Sequence, residues 1–521
     1  MSVILLEPPR PVNQERFEDV VNAPLSSCLF TGYISAVLKK NNIHADIINA
    51  HLHGWSFEQT IATISEKNYS LLCAHAIYLW NDTHTIFDML SLLKSNNPGI
   101  HINLYGYFPT FAYKEILSKY PFIDSVTIGE PEYTITELAK RMVTQNTPLL
   151  SNAIQGLASR DDNGNIIFLP RIPIQDLDTL PFPERYDIDL YQQKDIATYI
   201  LGSRGCYSHC TFCYLNPFYG QTNAWRGRSA NSIFKEIDML NKKYSLNNFY
   251  FSDANFFGPG KYGRERAITF ADLILANDLN IRFGFECRVN DIEEKTISKL
   301  VMAGLTNVFL GLESGDNNSL KRFKKHTTSD ENKRAIQLLR NYGIEPTFGF
   351  IMFEPHSTMQ SIRNNFEFLR ETCIMSSPAV TAHLLHHRQT IFQGTPEYQS
   401  MTQSLTMSDS SLPSYEVVYE IHDSKANAFS ITISNICKNF LSLLPQTFEC
   451  DTLAPEINHD SSPLKELNTA LISAFDTILC EFENTAIIPD SEYLHSTHRK
   501  VINNFKSLLL NTTAVYETKQ I

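Results

Sequence analysis

The sequence predicts an α/β protein in which a doubly wound parallel sheet is followed by a parallel β/α barrel, complete or partial, and a mainly helical tail. Three observations support this fold class. Short apolar runs alternate with helical patterns through residues 1–145 and again from residue 197. A polar turn and several prolines interrupt this rhythm in between, and beyond residue 386 the alternation is lost. We therefore expect four regions, at residues 1–145, 146–195 (a linker), 196–385 and 386–521.

The first series predicts a parallel sheet with ligand-binding loops at one edge. Its candidate strands are Val3–Leu6, Ala45–Ile48, Leu71–Ala74, Ile102–Tyr105 and Ser125–Ile128. Helical patterns lie between or after them, at 29–40, 56–65, 84–95 and 133–143. Ligands bind such sheets at the carboxyl ends of the strands. Those ends carry residues 7–9, 49–54, 105–110 and 129–132.

The second series predicts six strands with five intervening helices. The strands are Thr198–Leu201, Phe249–Ser252, Arg282–Phe285, Val308–Leu310, Thr347–Met352 and Val380–Leu385. The helices are 229–243, with Ser229 as its N-cap, then 263–277, 292–303, 329–342 and 358–372. Further helices are expected at 425–445, 463–484 and 495–510. A parallel barrel places its chemistry on the loops that follow its strands.

Charge and hydropathy exclude several classes of protein. The 44 basic and 56 acidic residues give a net charge of −12, which argues against a protein that mainly binds nucleic acid. The N-terminus lacks a signal-peptide pattern, and no apolar run reaches the roughly 18 residues of a membrane span. We therefore expect a cytoplasmic protein without a membrane segment, in which thiols stay reduced.

Three of the ten cysteines, Cys206, Cys210 and Cys213, are crowded into the loop after the first barrel strand. A reduced compartment makes them metal ligands rather than part of a disulfide framework. Structural zinc needs a fourth ligand, which would have to be distant or be His209. An iron–sulfur cluster fits better, because three thiolates leave one iron of a four-iron cluster open to a small molecule. An enzyme can use an open iron to bind a substrate or cosubstrate, whereas an electron carrier has no need of one.

This spacing, in SRGCYSHCTFC, resembles the radical SAM superfamily. The segments WRGRSANSIFKEIDML, FYFSDANFFG, FECRVND, VFLGLESGD and GFIMFEP are similar to the branch that carries an N-terminal cobalamin-binding domain. Upstream, IDSVTIGEPEYTITELAKRM resembles that domain, which is Rossmann-like. The resemblance covers roughly residues 1 to 375. It implies a 4Fe-4S cluster whose open iron holds S-adenosylmethionine (SAM), and a reduced cluster that cleaves SAM to a 5′-deoxyadenosyl radical.

The resemblance also implies residues that bind SAM. Asp253 and Asn255 end the second barrel strand, where the family contacts the methionine amino group. Arg288 suits the SAM carboxylate, and Glu313 suits a hydroxyl or ammonium. The alternatives are a strand-end turn for the first two residues and a structural ion pair for the others.

Cobalamin is implied at the strand ends of the first sheet, with Tyr105, Gly106, Thr110, Gly129 and Glu130 as its candidate contacts. The sequence departs from the family here, because the chain reads YGYFPT at 105–110 where the family usually has a Gly-Gly pair. Bulky aromatics could crowd the corrin or its nucleotide tail, or pack on the corrin face. A second departure is at 49–54, where NAHLHG has Asn in place of the Asp of the usual histidine motif. His51 is therefore expected to be a loop histidine rather than a cobalt ligand.

The resulting prediction is a cobalamin-dependent radical SAM methyltransferase acting on an unactivated carbon of a small-molecule substrate. One SAM would methylate cobalt and a second would yield the radical, with electrons from a donor such as flavodoxin or ferredoxin. Alternatives are a radical rearrangement, cyclisation or oxidation with cobalamin auxiliary or absent, and a non-catalytic cluster- or corrinoid-binding sensor. A methylthio-transferring tRNA enzyme fits less well, since it needs three further N-terminal cysteines and only Cys28 and Cys73 are present.

The region after residue 386 is expected to cover a substrate whose identity the sequence does not give. His383, His386, His387 and Arg388 lie where the barrel ends. They either bind an acidic substrate or line a solvated edge.

Overall fold

A computed structural model gives the arrangement of most of the chain. It describes residues 2–10, 29–76, 83–145, 154–186, 188–193, 196–220, 224–402, 416–444, 462–485, 488–489 and 491–519. Cys28 and most of the polar stretch at 400–414 lie outside these residues. Within the described part, no helix has the length and hydropathy needed to cross a membrane.

The chain forms two compact units. The first contains Met1–Glu286, Ser298–Thr306 and Ile391–Val417. The second contains Cys287–Ile297, Asn307–Thr390 and Val418–Ile521.

The first unit begins with a seven-stranded sheet. Its strands are β1 (Ser2–Glu7), β2 (Ala45–Asn49), β3 (Tyr69–His75), β4 (His101–Tyr105), β5 (Ser125–Thr127), β6 (Leu157–Arg160) and β7 (Ile166–Phe168). The accompanying helices are α1 (Leu29–Lys40), α2 (Ala50–His53), α3 (Phe57–Ser65), α4 (Thr83–Asn96), α5 (Tyr107–Lys119) and α6 (Glu132–Ala139). The five predicted strands and four predicted helices are confirmed, and α2 and α5 are additions that the sequence analysis missed.

The sheet is doubly wound, as predicted. Its strand order is β2-β1-β3-β4-β5-β6-β7, and β1 to β5 are parallel. Alternate residues of β1 enter separate cores, since Val3 and Leu5 pack with α1 and α6 whereas Ile4 and Leu6 pack with α3, α4 and α5. The order reverses between β1 and β3, and that switch point is where such sheets bind ligands.

The sheet extends beyond residue 145. Strands β6 and β7 lie within the segment expected to be a linker, and they add an antiparallel pair to the edge at β5. They are joined by the polar turn at 161–165, where Asp161 accepts hydrogen bonds from the backbone N–H groups of Asn163 and Asn165. The described prolines of the segment, Pro170, Pro173, Pro181 and Pro183, lie outside helices and strands.

The second sheet has five strands, in the order β14-β13-β12-β11-β8. The strands in this part of the chain are β8 (Thr198–Ile200), β9 (Ser203–Arg204), β10 (Arg226–Gly227), β11 (Asn248–Phe251), β12 (Arg282–Arg288), β13 (Leu305–Glu313) and β14 (Thr347–Phe350). The helices are α7 (Ile188–Gln193), α8 (Leu215–Phe218), α9 (Ala230–Tyr244), α10 (Gly260–Ala276), α11 (Glu294–Met302), α12 (Asn317–Arg322), α13 (Ser329–Asn341), α14 (Met359–Glu371) and α15 (Pro378–His386). Strands β8, β11 and β12 are parallel, as are β13 and β14, which confirms the partial barrel.

The predicted sixth strand, Val380–Leu385, is wrong. These residues belong to α15, because Ser377 caps the helix by accepting a hydrogen bond from the Val380 N–H and Pro378 occupies its first turn. The apolar run that suggests a strand is the buried face of a helix, with Ala382 and Leu385 fully buried. The expected N-cap at Ser229 is confirmed, since its hydroxyl accepts from the Ser232 N–H.

Helices dominate the remaining chain. They are α16 (Pro396–Thr402), α17 (Ser424–Leu443), α18 (Ser462–Asn484) and α19 (Ser491–Lys519), and the last three confirm the expected C-terminal helices. In the second unit, Phe429 of α17 packs against Phe475 and Phe482 of α18, with ring centroids 5.3 and 5.4 Å apart. Aromatic packing therefore holds these helices together.

Candidate active site

The three cysteines lie on the loop that follows β9. Cys210 is buried, and Cys206 and Cys213 are partly exposed. The Ser208 N–H donates to Cys206 Sγ at 3.4 Å, and the Cys213 N–H donates to the Cys210 carbonyl at 3.2 Å. The Ser208 donor favours the Cys206 thiolate, whereas the bond from Cys213 closes a backbone turn. The donor set fits a four-iron cluster, in which each of the three thiolates binds a different iron.

A mononuclear site is not formed. Nowhere in the described part of the chain are three or more His, Cys, Asp or Glu side chains arranged to hold one metal ion. The distant fourth ligand that structural zinc would require is therefore not in place among those residues.

The cysteine loop is packed on the N-terminal sheet. Tyr214, which directly follows Cys213, and Phe218 are both buried in the core that α4 and α5 form with that sheet. The ring of Tyr107 contacts both, with centroid distances of 4.7 Å to Tyr214 and 4.5 Å to Phe218. Tyr107 therefore supports the cysteine loop, which gives a structural reason for an aromatic residue beside Gly106.

A buried ion network also reaches the start of the cysteine loop. Arg204 is completely buried and pairs with Glu130, at 2.8 Å, and with Glu132. Arg226 pairs with Glu130 at 3.0 Å. Burial raises the pKa of Glu130, but the two guanidinium groups outweigh it and the net shift is downward. Glu130, a candidate cobalamin contact, is thus engaged by arginines of the cysteine-loop region.

Asp253 and Asn255 follow β11 and are fully buried. The Asp253 carboxylate accepts the Gly202 N–H at 2.6 Å and the Ser203 hydroxyl at 2.8 Å. The Asn255 side chain accepts the Gly258 N–H at 2.7 Å. Both residues therefore fix the turns at these strand ends, and their contact with SAM stays a prediction.

Burial dominates the electrostatics of Asp253. It raises the pKa of this carboxyl to about 6, against the opposing effects of the Arg266 guanidinium and of the hydrogen bonds from Ser203 and Gly202. Below that pH the group is neutral, and above it the group is a buried anion.

In the second unit, Glu313 at the end of β13 pairs with a lysine that the sequence analysis missed. Lys325 Nζ lies 2.8 Å from Glu313 Oε1, and both side chains are largely buried. Arg288 at the end of β12 donates to the Lys325 backbone carbonyl. Two cationic groups and one carboxylate thus lie near the carboxyl ends of neighbouring strands, a set able to bind a zwitterion.

The Lys325–Glu313 pair depends on strained backbone. Glu313 has φ of 65°, and Lys324 and His326 on either side of Lys325 have φ of 53° and 54°. Gly311 leaves the space that the pair fills, because a Cβ there would come within 2.6 Å of Lys325 Nζ. Non-glycine residues with positive φ cost free energy and concentrate at functional sites. The local sequence KRFKKHTT looks like an exposed basic run, so nothing in it singles out Lys325.

The four basic residues at the end of α15 do not form an exposed cationic surface. His386 is buried and hydrogen-bonds the Ala382 carbonyl at 2.6 Å, and Arg388 donates to the Tyr419 carbonyl at 2.9 Å. Burial lowers the pKa of His383 and of His387 to about 4, although Glu313 opposes this shift at His387. These histidines are neutral at pH 7, so an acidic substrate would gain little charge from them.

The candidate cobalamin residues lie at one edge of the N-terminal sheet. Gly106 directly follows β4 with φ of 117°, and a Cβ there would lie 2.4 Å from the Ala76 carbonyl oxygen. Thr110 accepts the Gly129 N–H at 3.1 Å and donates to the Gly106 carbonyl at 2.7 Å. Gly106, Thr110 and Gly129 are all buried, and their contact with cobalamin stays a prediction.

His51 was expected in a loop, and that expectation is wrong, because His51 lies in α2. Asn49 caps α2 by accepting the Leu52 N–H at 3.1 Å, and His51 is the second residue of that helix. Asn therefore has a local structural role at this position.

Comparison with known proteins supports the family. Residues 200–369 match the model of the radical SAM superfamily. Relatives include the anaerobic magnesium-protoporphyrin IX monomethyl ester cyclase of Rubrivivax gelatinosus, 29% identical over 54% of this chain and 51% of the relative. The 4′-phospho-dehydrooxetanocin synthase of Priestia megaterium is 25% identical over 67% of this chain and 49% of the relative. The cytidylyl-2-hydroxyethylphosphonate methyltransferase of Streptomyces wedmorensis is 22% identical over 70% and 77%.

The chain thus spans about half the length of the first two relatives. Among solved structures, the cobalamin-dependent SAM radical enzyme OxsB with aqua-cobalamin and SAM matches with a TM-score of 0.76 at 18% identity, over 100% of this chain and 81% of that one. The radical SAM methyltransferase TsrM from Kitasatospora setae matches with a TM-score of 0.61 at 14% identity, over 78% and 76%. Residues 200–369 thus match a radical SAM domain, and the fold of the chain is similar to that of OxsB and TsrM.

Proposed function

We propose that this protein is a cobalamin-dependent radical SAM enzyme that methylates an unactivated carbon of a small-molecule substrate. The observation that carries the proposal is the loop of Cys206, Cys210 and Cys213, which follows β9 next to a parallel half-barrel and presents three thiols for a four-iron cluster. The likeness of the fold to OxsB and TsrM supports the assignment of the corrinoid.

The polar residues at the strand ends are suited to SAM. Its methionine part carries one carboxylate and one ammonium, so a site needs groups of both signs. We assign the carboxylate to Arg288 and Lys325, and the ammonium to Asp253 and Glu313, with Asn255 holding the loop beside Asp253. Because Lys325 is buried against Glu313, it also fixes that carboxylate in orientation.

When bound, the reduced cluster supplies the electron that cleaves SAM, and the corrinoid supplies a methyl group that a carbon radical can accept. The chain's own task is to hold these groups and exclude water. Tyr107, Tyr214 and Phe218 fix the cysteine loop by aromatic packing. Gly311 and Gly349, paired across β13 and β14, leave room beside Glu313.

Three further features complete the proposal. A flavodoxin or ferredoxin would supply the electrons, the site of action would be the cytoplasm, and residues 386–521 would cover the substrate. The first unit offers one observation for the last point. The Glu397 N–H donates to the Thr211 carbonyl at 3.0 Å, so the segment that leads into α16 lies on the cysteine loop.

The test is the product balance of the anaerobic, reconstituted protein. A methyltransferase that uses one SAM for the methyl group and one for the radical forms S-adenosylhomocysteine and 5′-deoxyadenosine in equal amounts. Changing all three cysteines to alanine should remove iron and 5′-deoxyadenosine together. Iron binding and full SAM cleavage by that variant would contradict the cluster assignment.

A second function has support from the names of two relatives, a cyclase and a synthase. A radical cyclisation or rearrangement forms 5′-deoxyadenosine without S-adenosylhomocysteine. The same product analysis with candidate substrates therefore separates it from methyl transfer. A protein that binds the cluster and corrinoid yet never cleaves SAM would instead be a sensor.

A further inference from the structure

Ser208 contacts the sulfur atoms of two of the three cysteines in the loop. Its backbone N–H donates to Cys206 Sγ at 3.4 Å, and its hydroxyl oxygen lies 3.6 Å from Cys210 Sγ. Either atom of the second pair can donate while Cys210 is a thiol. A thiolate bound to iron can only accept, so the Ser208 hydroxyl is then the donor. One residue between the cysteines therefore offers hydrogen bonds to two ligands of the expected cluster.

The hydroxyl contact lies where a hydrogen bond has a large electrostatic effect. Ser208 and Cys210 are both buried, with exposed fractions of 9 and 8%. In such surroundings the effective dielectric constant is low, and a hydrogen bond to a charged atom is stronger than it is in water. Water also has little access to replace a missing hydroxyl at the Cys210 sulfur. The charge on that sulfur therefore depends on Ser208 for its stabilisation.

Asn216, on α8, holds Ser208 in this position. Its Nδ2 donates to the Ser208 carbonyl oxygen and lies 3.3 Å from His209 Nδ1. Leu215 and Phe218, which flank Asn216 in α8, are buried in the core that α4 and α5 form with the N-terminal sheet. That core fixes α8, and Asn216 connects α8 to the backbone of the cysteine loop. The orientation of Ser208 toward the two sulfur atoms is therefore set by the packing of α8.

Hydrogen bonds to the thiolates act on the charge that reduction adds. One electron enters from the flavodoxin or ferredoxin of the proposed function, and no proton accompanies it. The negative charge shared by the irons, sulfides and thiolates therefore rises by one. A hydrogen bond donated to a thiolate stabilises this more negative state more than it stabilises the oxidised state. Donors from Ser208 therefore favour reduction.

We propose that Ser208 raises the reduction potential of the cluster through its hydrogen bonds to Cys206 and Cys210, with Asn216 as the residue that positions it. The inference rests on the proposed function, because it presupposes a cluster on the three cysteines. It gives the segment Cys206-Tyr207-Ser208-His209-Cys210 a task beyond binding iron. That task is to bring the cluster within reach of its protein reductant.

The experiment is a redox titration of the anaerobic, reconstituted full-length protein, followed by the electron paramagnetic resonance signal of the reduced cluster. Ser208→Ala removes the hydroxyl and one charge-assisted hydrogen bond. At a fixed potential, the ratio of reduced to oxidised cluster should fall by about tenfold, which is a midpoint lower by about 59 mV for one electron. Ser208→Thr keeps the hydroxyl and should change this ratio by less than about threefold. Only chains that hold a cluster give the signal, so partial loss of iron lowers its amplitude without moving the midpoint.

Thr211→Val is the matched control. Thr211 lies in the same loop, and its buried hydroxyl has no hydrogen-bond partner among the described residues. This variant should keep the native midpoint. An unchanged midpoint in Ser208→Ala, or an equal shift in Thr211→Val, would overturn the inference and leave the proposed function standing. A native protein that gives no signal of a four-iron cluster would overturn both.

Asn216→Leu tests the positioning role. It leaves the Ser208 hydroxyl in the loop but removes the hydrogen bond that holds the Ser208 backbone. The midpoint should move in the same direction as in Ser208→Ala, because both hydrogen bonds to sulfur lose their alignment. A native midpoint in Asn216→Leu would overturn the role of Asn216.

Discussion

Tyr107 packs edge-on against Tyr214, with their ring centroids 4.7 Å apart and their planes at 62°. Tyr107 begins α5 directly after β4, and Tyr214 directly follows the last of the three cysteines. The N-terminal sheet thereby supports the loop that is to hold the cluster. A cluster loop needs such support, because small displacements of its thiolates change which irons they can reach.

Tyr107→Ala should impair cluster retention more than it impairs folding. Removing a buried aromatic ring typically costs about 3–5 kcal/mol of unfolding free energy. Here the lost contacts are those that hold the cysteine loop in place. We expect clearly less than four irons per folded chain and an altered electron paramagnetic resonance spectrum of the reduced cluster. Tyr107→Phe keeps the ring and should retain the cluster. Equal iron content in Tyr107→Ala and the control Tyr113→Ala would argue against this role.

Arg204→Met should strongly destabilise the first unit. It leaves Glu132 buried without its guanidinium partner, and breaking a buried ion pair from one side typically costs about 3–5 kcal/mol. The double variant Arg204→Met/Glu132→Gln should recover part of this loss, because neither charge is then left alone. Urea denaturation of the cluster-free protein provides the measurement. Lys39→Met, which removes an exposed pair with Glu184, should leave the midpoint unchanged.

The stability of the Asp253→Asn variant, compared with that of the native protein, should increase as the pH rises. Burial raises the pKa of Asp253 to about 6 from an ordinary value of 3.8. The folded protein therefore binds this proton more tightly than the unfolded chain does, so native stability falls between about pH 4 and pH 6. Asparagine does not ionise and avoids this loss, which amounts to at most about 3 kcal/mol. Urea midpoints of both proteins at pH 4.5 and 7.5 test this. A difference between the two midpoints that is the same at both pH values would contradict it.

Lys325→Met should weaken SAM binding. The substitution removes a cation from the site and leaves Glu313 buried without its partner, and a charge-assisted hydrogen bond contributes about 1.5–3 kcal/mol. The dissociation constant for SAM should therefore rise by at least about tenfold. Lys324→Met changes the exposed neighbour and should bind SAM normally, while Lys325→Arg should restore part of the affinity. Normal SAM binding by folded Lys325→Met would make the Lys325–Glu313 pair purely structural.

The sequence predicted most of the secondary structure because the responsible interactions are local. Alternating apolar runs mark β1 to β5, and capping residues such as Ser229 mark where helices begin. The same local logic failed at Val380–Leu385, where an apolar run suits either a buried strand or a buried helix face. The Ser-Pro pair at 377–378 was the signal that favours a helix.

The residues of the candidate site also fall into those that the sequence predicted and those that only the structure showed. The sequence by itself determined the three cysteines and predicted their cluster chemistry, since all three lie within one loop. Only the tertiary structure decided the partners of Glu7, Glu130 and Glu313, because those partners come from other strands and helices. His75 lies 68 positions from Glu7, and Arg204 lies 74 positions from Glu130. Periodicity and spacing carry no information about contacts between such distant residues. Those contacts are set by strand order and register, which are fixed only when the sheets and their covering helices pack together.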